Sequence, residues 1–476
     1  MRCIGTNGPV EARPLVRSRL GAYALVLGAY ALWLGACVVE EDGRMSDYGD
    51  RFEPADDPRF AIEVVDDNVP GPAFATIIDV EGDGTKELLI SAFGKGSGIV
   101  PGELRLYHLG PNEQGEQGEQ GEQSWSHETI VDADEDLRFI NHATAEDIDH
   151  DGDLDYFVPH GFLACALPFI GPGHCGGLRW YETVGEGEFV PHVLVPNGSN
   201  LFYHVAEFVD FDGDGIEDLV TVAEQKRFWG FRDRAITQWF KGNDSPERFE
   251  STPREIGPGM GSLLSVRDVD GDGDLDIASA EFFARLGASF AWYERVADPS
   301  PESPAGEFVR HEINDDSGPS IQLTFVEDLF GDGVLRAVGA NHTNTAKFPA
   351  DPWESAVVAF EIPEDPREPW PKTQLSTGIR SRPGSFNSPQ AAPGIFGTGD
   401  MDNDGDIDII VSGDGDPNVY WLEQVAPGEF ETHVLMEDMG QAGAMQIDDF
   451  DGDGTNEALV SSYERDALYI VRFMGE

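Results

Sequence analysis

DIDHDGDLDYFV at 147–158, DFDGDGIEDLVT at 210–221, DVDGDGDLDIAS at 268–279 and DMDNDGDIDIIV at 400–411 are one motif written four times. DVEGDGTKELLI at 79–90 and DFDGDGTNEALV at 449–460 repeat it with small changes, and DLFGDGVLRAVG at 328–339 is a degraded copy. The seven starts are separated by 68, 63, 58, 60, 72 and 49 residues. A self-similar period of this size marks a repeat architecture. It overrides the two or three domains that 476 residues would otherwise suggest, because each repeat is a small unit buried only by its neighbours.

The flanks repeat with the motif. A short alternating stretch precedes it, as in FATIIDV, HVAEFVDF and AMQIDDF, and a short apolar stretch follows it. Next comes an aromatic stretch: ELRLYHL, LRWYETV, ITQWFKG, FAWYERV, VVAFEI, VYWLEQV and LYIVRF. A fourth follows in most repeats: SWSHETIV, EFVPHVLV, RFESTPREI, EFVRHEI and EFETHVL, with a poorer version near WPKTQLS. Period-two alternation bounded by turn residues reads as four strands per repeat. The expected fold is all-β, a seven-bladed β-propeller over residues 59–476. The last repeat ends after its third strand, whereas residues 59–66, RFAIEVVD, stand before the first repeat and look like a fourth. They are predicted to complete the seventh blade and close the ring, which hides the edges an open array would expose.

The spacing D-x-[DNE]-x-D-G-x-x-[DE] places oxygen at positions one, three, five and nine of a tight loop, with a backbone carbonyl at seven and a turn-forming glycine at six. Such a set suits a large hard cation taking six to eight oxygens, and lacks the thiol or imidazole that favours zinc. The expected calcium ligands are Asp79, Glu81, Asp83 and Glu87; Asp147, Asp149, Asp151 and Asp155; Asp210, Asp212, Asp214 and Asp218; Asp268, Asp270, Asp272 and Asp276; Asp400, Asp402, Asp404 and Asp408; and Asp449, Asp451, Asp453 and Glu457. About six calcium ions are expected. None is expected at the Asp328 loop, where Phe330 takes position three and Arg336 takes position nine, its positive charge set against Asp328 and Asp332. An EF-hand needs a glutamate at position twelve between helices, and here that position holds residues such as Thr221 and Ser279 inside strands. The motif and its flanking strands resemble the FG-GAP/VCBS repeat family, the propeller also found in integrin α-subunit heads. The resemblance covers about residues 59–476 and implies calcium loops between strands one and two on one face, with ligand binding on the other.

The formal charge is −58, from 89 acidic and 31 basic residues, which argues against nucleic acid or an anionic membrane surface as partner. The 29 Phe, 11 Tyr and 9 Trp argue against disorder as the reason for that charge. At the N-terminus, Arg2, Arg13, Arg17 and Arg19 precede the apolar run LGAYALVLGAYALWLGA at 20–36. These are the basic and apolar regions of an export signal over residues 1–36. Leu34-Gly35-Ala36-Cys37 resembles a bacterial lipobox, which implies lipid attachment at Cys37 and an acidic tether over 37–58. The competing reading is a single membrane-spanning helix, for which this run is at the lower length limit. The expected location is outside the cytoplasm, anchored by lipid to a bacterial membrane, at the outer membrane or cell surface. Cys165 and Cys175 lie in one loop and either pair or remain free thiols.

Function is expected on the face opposite the calcium loops. The stretch EQKRFWGFRDR contains Arg227, Phe228, Trp229, Phe231, Arg232 and Arg234, a basic and aromatic patch on an acidic protein. It suits a sugar or an acidic protein. His160, Phe162, Phe282, Phe283, His342 and Trp353 are further candidates for that face, and His142, His160, His204 and His342 together read either as a catalytic or transition-metal cluster or as ordinary loop and channel histidines. His127, His192, His311 and His433 recur at one position of the fourth strand and are read as structural. No Ser-His-Asp spacing, metalloprotease helix or phosphate loop appears. The expected function is a monomeric surface module that binds or scaffolds a protein or glycan ligand, touching the membrane only through its lipid. The alternative is a propeller-based polysaccharide lyase or hydrolase.

Overall fold

A computed structural model describes residues 58–80, 82–95, 100–111, 123–161, 172–225, 233–282, 285–346, 350–382 and 391–475. The leader, Cys37 and all but the last residue of the tether lie outside the described residues.

Seven four-stranded antiparallel sheets follow one another along the chain. Blade one is β2 (Pro72–Ile78), β3 (Glu87–Ala92), β4 (Glu103–Pro111) and β5 (Gln123–Val131). Blade two is β6 (Thr144–Glu146), β7 (Asp155–His160), β8 (Gly177–Gly185) and β9 (Glu188–Val195). Blade three is β10 (Phe202–Val209), β11 (Asp218–Gln225), β12 (Arg234–Phe240) and β13 (Arg254–Pro258). Blade four is β14 (Gly261–Arg267), β15 (Asp276–Ala280), β16 (Phe290–Ala297) and β17 (Glu307–Asn314). Blade five is β18 (Ser320–Val326), β19 (Arg336–Asn341), β20 (Val357–Glu361) and β21 (Lys372–Gln374). Blade six is β22 (Phe396–Gly399), β23 (Asp408–Ser412), β24 (Val419–Ala426) and β25 (Glu429–Met436). Blade seven is β26 (Ala442–Asp448), β27 (Glu457–Ser462), β28 (Ala467–Phe473) and, from the other end of the chain, β1 (Phe60–Asp66).

The closure follows the expectation. β1 pairs antiparallel with β28, from Phe60 opposite Phe473 to Asp66 opposite Leu468. The weak fourth strand of blade five is also as read: β21 has three residues, all exposed.

The apolar residues form seven clusters, one at each interface between successive blades. Strand alternation explains this. In β27, Ala458 and Val460 point toward blade six while Leu459 points toward blade one. Both faces of the middle strands are therefore buried, and they read as continuous apolar runs instead of alternating ones. Side chains of the innermost strands tie neighbouring blades together. Thr76 donates to the Ala143 carbonyl at 2.7 Å, Ser265 to the Leu323 carbonyl at 3.1 Å, and Gln446 of blade seven to the Ala75 carbonyl of blade one at 3.1 Å. Glu207 occupies the same position and accepts the Val266 N–H at 3.3 Å.

The recurring histidines of strand four lie directly opposite strand-three aromatics. Trp180 stacks on His192 with centroids 4.2 Å apart, while Trp292 meets His311 at 4.9 Å, Trp421 meets His433 at 5.2 Å and Tyr107 meets His127 at 5.0 Å, each with tilted rings. Three of these histidines also bond a glutamate two residues past the tryptophan: Glu182 at 2.6 Å, Glu294 at 2.6 Å and Glu423 at 2.8 Å. They are packing elements.

Two expectations follow. Phe60, Ile62 and Val65 of β1 lie on the clusters flanking blade seven. Burial of each contributes roughly 1.5–3 kcal/mol when complete. Deleting residues 58–66 is expected to cost about 5 kcal/mol in chemical denaturation and to expose β28 as an open edge, seen as self-association in size-exclusion chromatography. Burial also raises Glu207 to about 7. The folded chain keeps this proton over a range where the unfolded chain has released it, so stability falls as pH rises from about 4.5 to about 7. Glu207→Gln is expected to gain about 2 kcal/mol over the parent at pH 8 and nothing near pH 4, measured by urea denaturation.

Candidate metal centres

Each motif forms the turn between strands one and two of its blade, so all seven loops lie at the same end of the strands. The backbone of these turns is specialised at two positions. The glycine at position six has positive φ in every loop, as at Gly215 (88°) and Gly405 (100°). Position four does as well, at Gly82, His150, Gly213, Gly271, Gly331, Asn403 and Gly452. Glycine and asparagine bear this conformation at least cost. The motif spacing points only to position six. The alternation of Gly with Asn at position four is the signal for the other.

The position-one aspartate folds the loop around itself. Asp210 accepts N–H groups from Asp214 at 2.9 Å and Gly215 at 2.8 Å, and Asp400 accepts those of Asp404 and Gly405, each at 3.0 Å. Asp79 and Asp449 do the same in their loops. The position-five aspartate then accepts the N–H two residues on, as Asp151 does from Asp153 at 3.0 Å.

Position nine has a second role that its spacing did not announce. Its carboxylate is buried and accepts the N–H of position two across the loop: Asp155 from Ile148, Asp218 from Phe211, Asp276 from Val269, Asp408 from Met401 and Glu457 from Phe450. In four blades its other oxygen accepts an N–H from strand three or its end, from Thr183, Gly242, Arg295 or Gln424, at 2.7–2.9 Å. The residue is a clasp that fastens the loop to the sheet. Burial, with the other loop carboxylates pushing the same way, raises Asp276, Asp408 and Glu457 to about 7 and Asp155 and Asp218 to about 6.

Among the described residues, five loops each bring three carboxylate oxygens within 4.8 Å of one another. The groups are Asp147, Asp149 and Asp151; Asp210, Asp212 and Asp218; Asp268, Asp270 and Asp276; Asp400, Asp402 and Asp404; and Asp449, Asp451 and Asp453. Every donor is a carboxylate oxygen. Such a set fits a hard divalent cation, and loops held this close by backbone bonds have little freedom to relieve their own repulsion. Of the first loop, Asp79, Asp83 and Glu87 hold the same hydrogen bonds, while Glu81 lies outside the described residues.

The fifth loop departs as its sequence indicated, with one adjustment. Arg336 binds Asp332 through two bonds of 2.7 Å and lies over the Phe330 ring at 4.1 Å. Asp328 instead turns back to accept the Gly333 N–H. The guanidinium thus satisfies one of the two expected carboxylates directly and uses position three as an aromatic platform.

Of the residues expected on the opposite face, Arg227, Phe228, Trp229, Phe231 and Arg232 lie outside the described residues, as do Phe162 and Phe283. Arg234 opens β12 with its side chain 51% exposed, 4.0 Å from Glu255. The histidines there are held internally. His204 lies 2.8 Å from Glu224, His342 Nδ1 donates to the Pro393 carbonyl at 2.6 Å, and burial lowers His142 to about 4 and His160 to about 3. Cys175 is disulfide-bonded; Cys165, the partner its spacing suggests, lies outside the described residues.

Arg336→Met is expected to lower the thermal midpoint by the same few degrees in calcium and in chelator, because its partners are this chain's own side chains. Position nine behaves differently: Asp408→Asn is expected to lower the midpoint and to weaken calcium binding together, read by differential scanning calorimetry and calorimetric titration.

Residues 400–460, which carry the sixth loop and the start of the seventh blade with its loop, match the FG-GAP-like repeat family. No curated protein matches the chain. Among solved structures, the crystal structure of BBS1N in complex with ARL6DN, soaked with mercury, is similar at 12% identity. That match covers 89% of this chain and 97% of that one, with a TM-score of 0.43. The protein is a seven-bladed β-propeller that carries an FG-GAP-like repeat.

Proposed function

We propose that the protein is an exported binding or scaffold module whose acidic loops hold calcium and whose opposite face takes a protein or glycan ligand. The convergence of carboxylates in five strand-one-to-strand-two loops carries this reading. On a chain of net charge −58, calcium in these loops would neutralise charge where it is most concentrated and join the two ends of each turn. The ion supplies rigidity there. No reaction is assigned to it, and the module is read as non-catalytic.

The described part of the opposite face supports a ligand surface. Arg285, in the loop between β15 and β16, lies over the ring of Trp353, in the loop between β19 and β20, at 5.4 Å. Leu286 beside it is 51% exposed. Together with Arg234 these residues offer cationic and aromatic groups on an acidic protein, a combination that suits a sugar ring or an acidic peptide. The leader ending at Cys37 supports export and lipid anchoring.

The mature protein, with its leader removed, tests the reading. Calcium is expected to raise its thermal midpoint, and chelation to lower it and broaden the transition. A glycan array and a pull-down in calcium are expected to yield a ligand whose retention falls in Trp353→Ala and Arg234→Glu without a change in midpoint. A midpoint indifferent to calcium would sink the metal half of the proposal; ligand binding indifferent to both substitutions would sink the surface.

A further inference from the structure

The acidic loops are not equivalent, and the difference originates in strand three. Four repeats carry a tryptophan and, two residues on, a charged residue: Trp180-Tyr181-Glu182, Trp239-Phe240-Lys241, Trp292-Tyr293-Glu294 and Trp421-Leu422-Glu423. The register places this charged residue beside position nine. Tyr181 pairs with Tyr156, Phe240 with Leu219, Tyr293 with Ile277 and Leu422 with Ile409, each the residue after the position-nine aspartate. In blades two, four and six the residue is a glutamate, bonded to the strand-four histidine. In blade three it is a lysine.

The Lys241 ammonium lies among the carboxylates of its own loop. It is 2.8 Å from Asp212, 2.6 Å from Asp214 and 3.7 Å from Asp218, which are positions three, five and nine. Its side chain is only 15% exposed. The chain has six lysines in 476 residues, so a cation in this setting is not a by-product of a basic surface. Other loops meet a basic group differently. Arg367 reaches Asp270, at position three, and Glu294 from another blade. Arg472 pairs with Asp451 at 2.9 Å and Glu457 at 3.5 Å, positions three and nine. Arg248 meets the second loop at the backbone carbonyl of Asp149 and not at a carboxylate.

We propose that Lys241 is a built-in counter-ion that holds the cation position of the Asp210 loop, so that this loop is ordered without calcium while the Asp147 and Asp400 loops require it. This rests on the calcium reading above. An ammonium set among the carboxylates of positions three, five and nine occupies ligands that a divalent ion would take, and an ion can enter only by displacing it. Together with the Asp328 loop, which Arg336 holds, two loops of the propeller would then stay ordered when calcium is withdrawn.

The test counts ions on the mature protein by calorimetric titration and by equilibrium dialysis with calcium. Asp404→Asn and Asp214→Asn change position five in the sixth and third loops. Asp404→Asn is expected to remove one bound ion, or weaken one at least tenfold; Asp214→Asn is expected to leave the count unchanged. Lys241→Met is expected to add one ion and to lower the thermal midpoint in chelator, with recovery in calcium. If Asp214→Asn costs an ion as Asp404→Asn does, the inference is overturned while the calcium reading stands. A folded Lys241→Met that gains no ion overturns it equally. If the parent protein binds no calcium, the calcium reading falls and this inference with it.

Discussion

No blade in this ring can cover its own two faces. Each apolar cluster is shared between two successive sheets, and the cluster between blades seven and one exists only because the ring closes. The antiparallel pairing of β1 with β28 is the bond that permits closure. It removes two open strand edges at once, and it links parts of the chain about 400 residues apart in sequence. Contacts of that range are costly to form and make the ring cooperative when formed. The inter-blade hydrogen bonds of Thr76, Ser265 and Gln446 work within the same constraint, since each needs a neighbouring innermost strand at the right height.

A second constraint is charge. The loops concentrate carboxylates at one end of the strands, and the chain meets this in several ways. Backbone N–H groups point at the carboxylates of positions one, five and nine. Position nine is buried and fastens the loop to strand three, which keeps the outer carboxylates in place but sharpens their repulsion. Basic side chains then enter some loops: Arg336 at position nine of the fifth, and Lys241 from the end of strand three in the third. Loops given no such partner are the ones that most need an external cation.

Much of this was readable in the residues. The motif spacing set the number of blades, the flanking runs placed four strands in each, and RFAIEVVD marked the closing strand. The exception at Phe330 and Arg336 was visible as a break in a repeated pattern. Other features were present but silent. The repeated histidines showed that they were structural, not that they pack against Trp180, Trp292 and Trp421. Lys241 stood in plain view in the run WFK where its counterparts read WYE, WYE and WLE. Its meaning needed the register that sets strand three beside position nine.

The sequence by itself determined the local structure and its repetition: where the turns fall, which positions need positive φ, which strands are apolar and which loop loses its acids. These follow from spacing and residue type, properties that act over a few neighbours. The tertiary structure decided what distant groups do to one another. It made the ninth carboxylate a buried clasp, tied β1 to β28, and brought the ammonium of Lys241 among Asp212, Asp214 and Asp218. Burial and electrostatic energy depend on distances across strands and blades, and those distances exist only once the ring is closed.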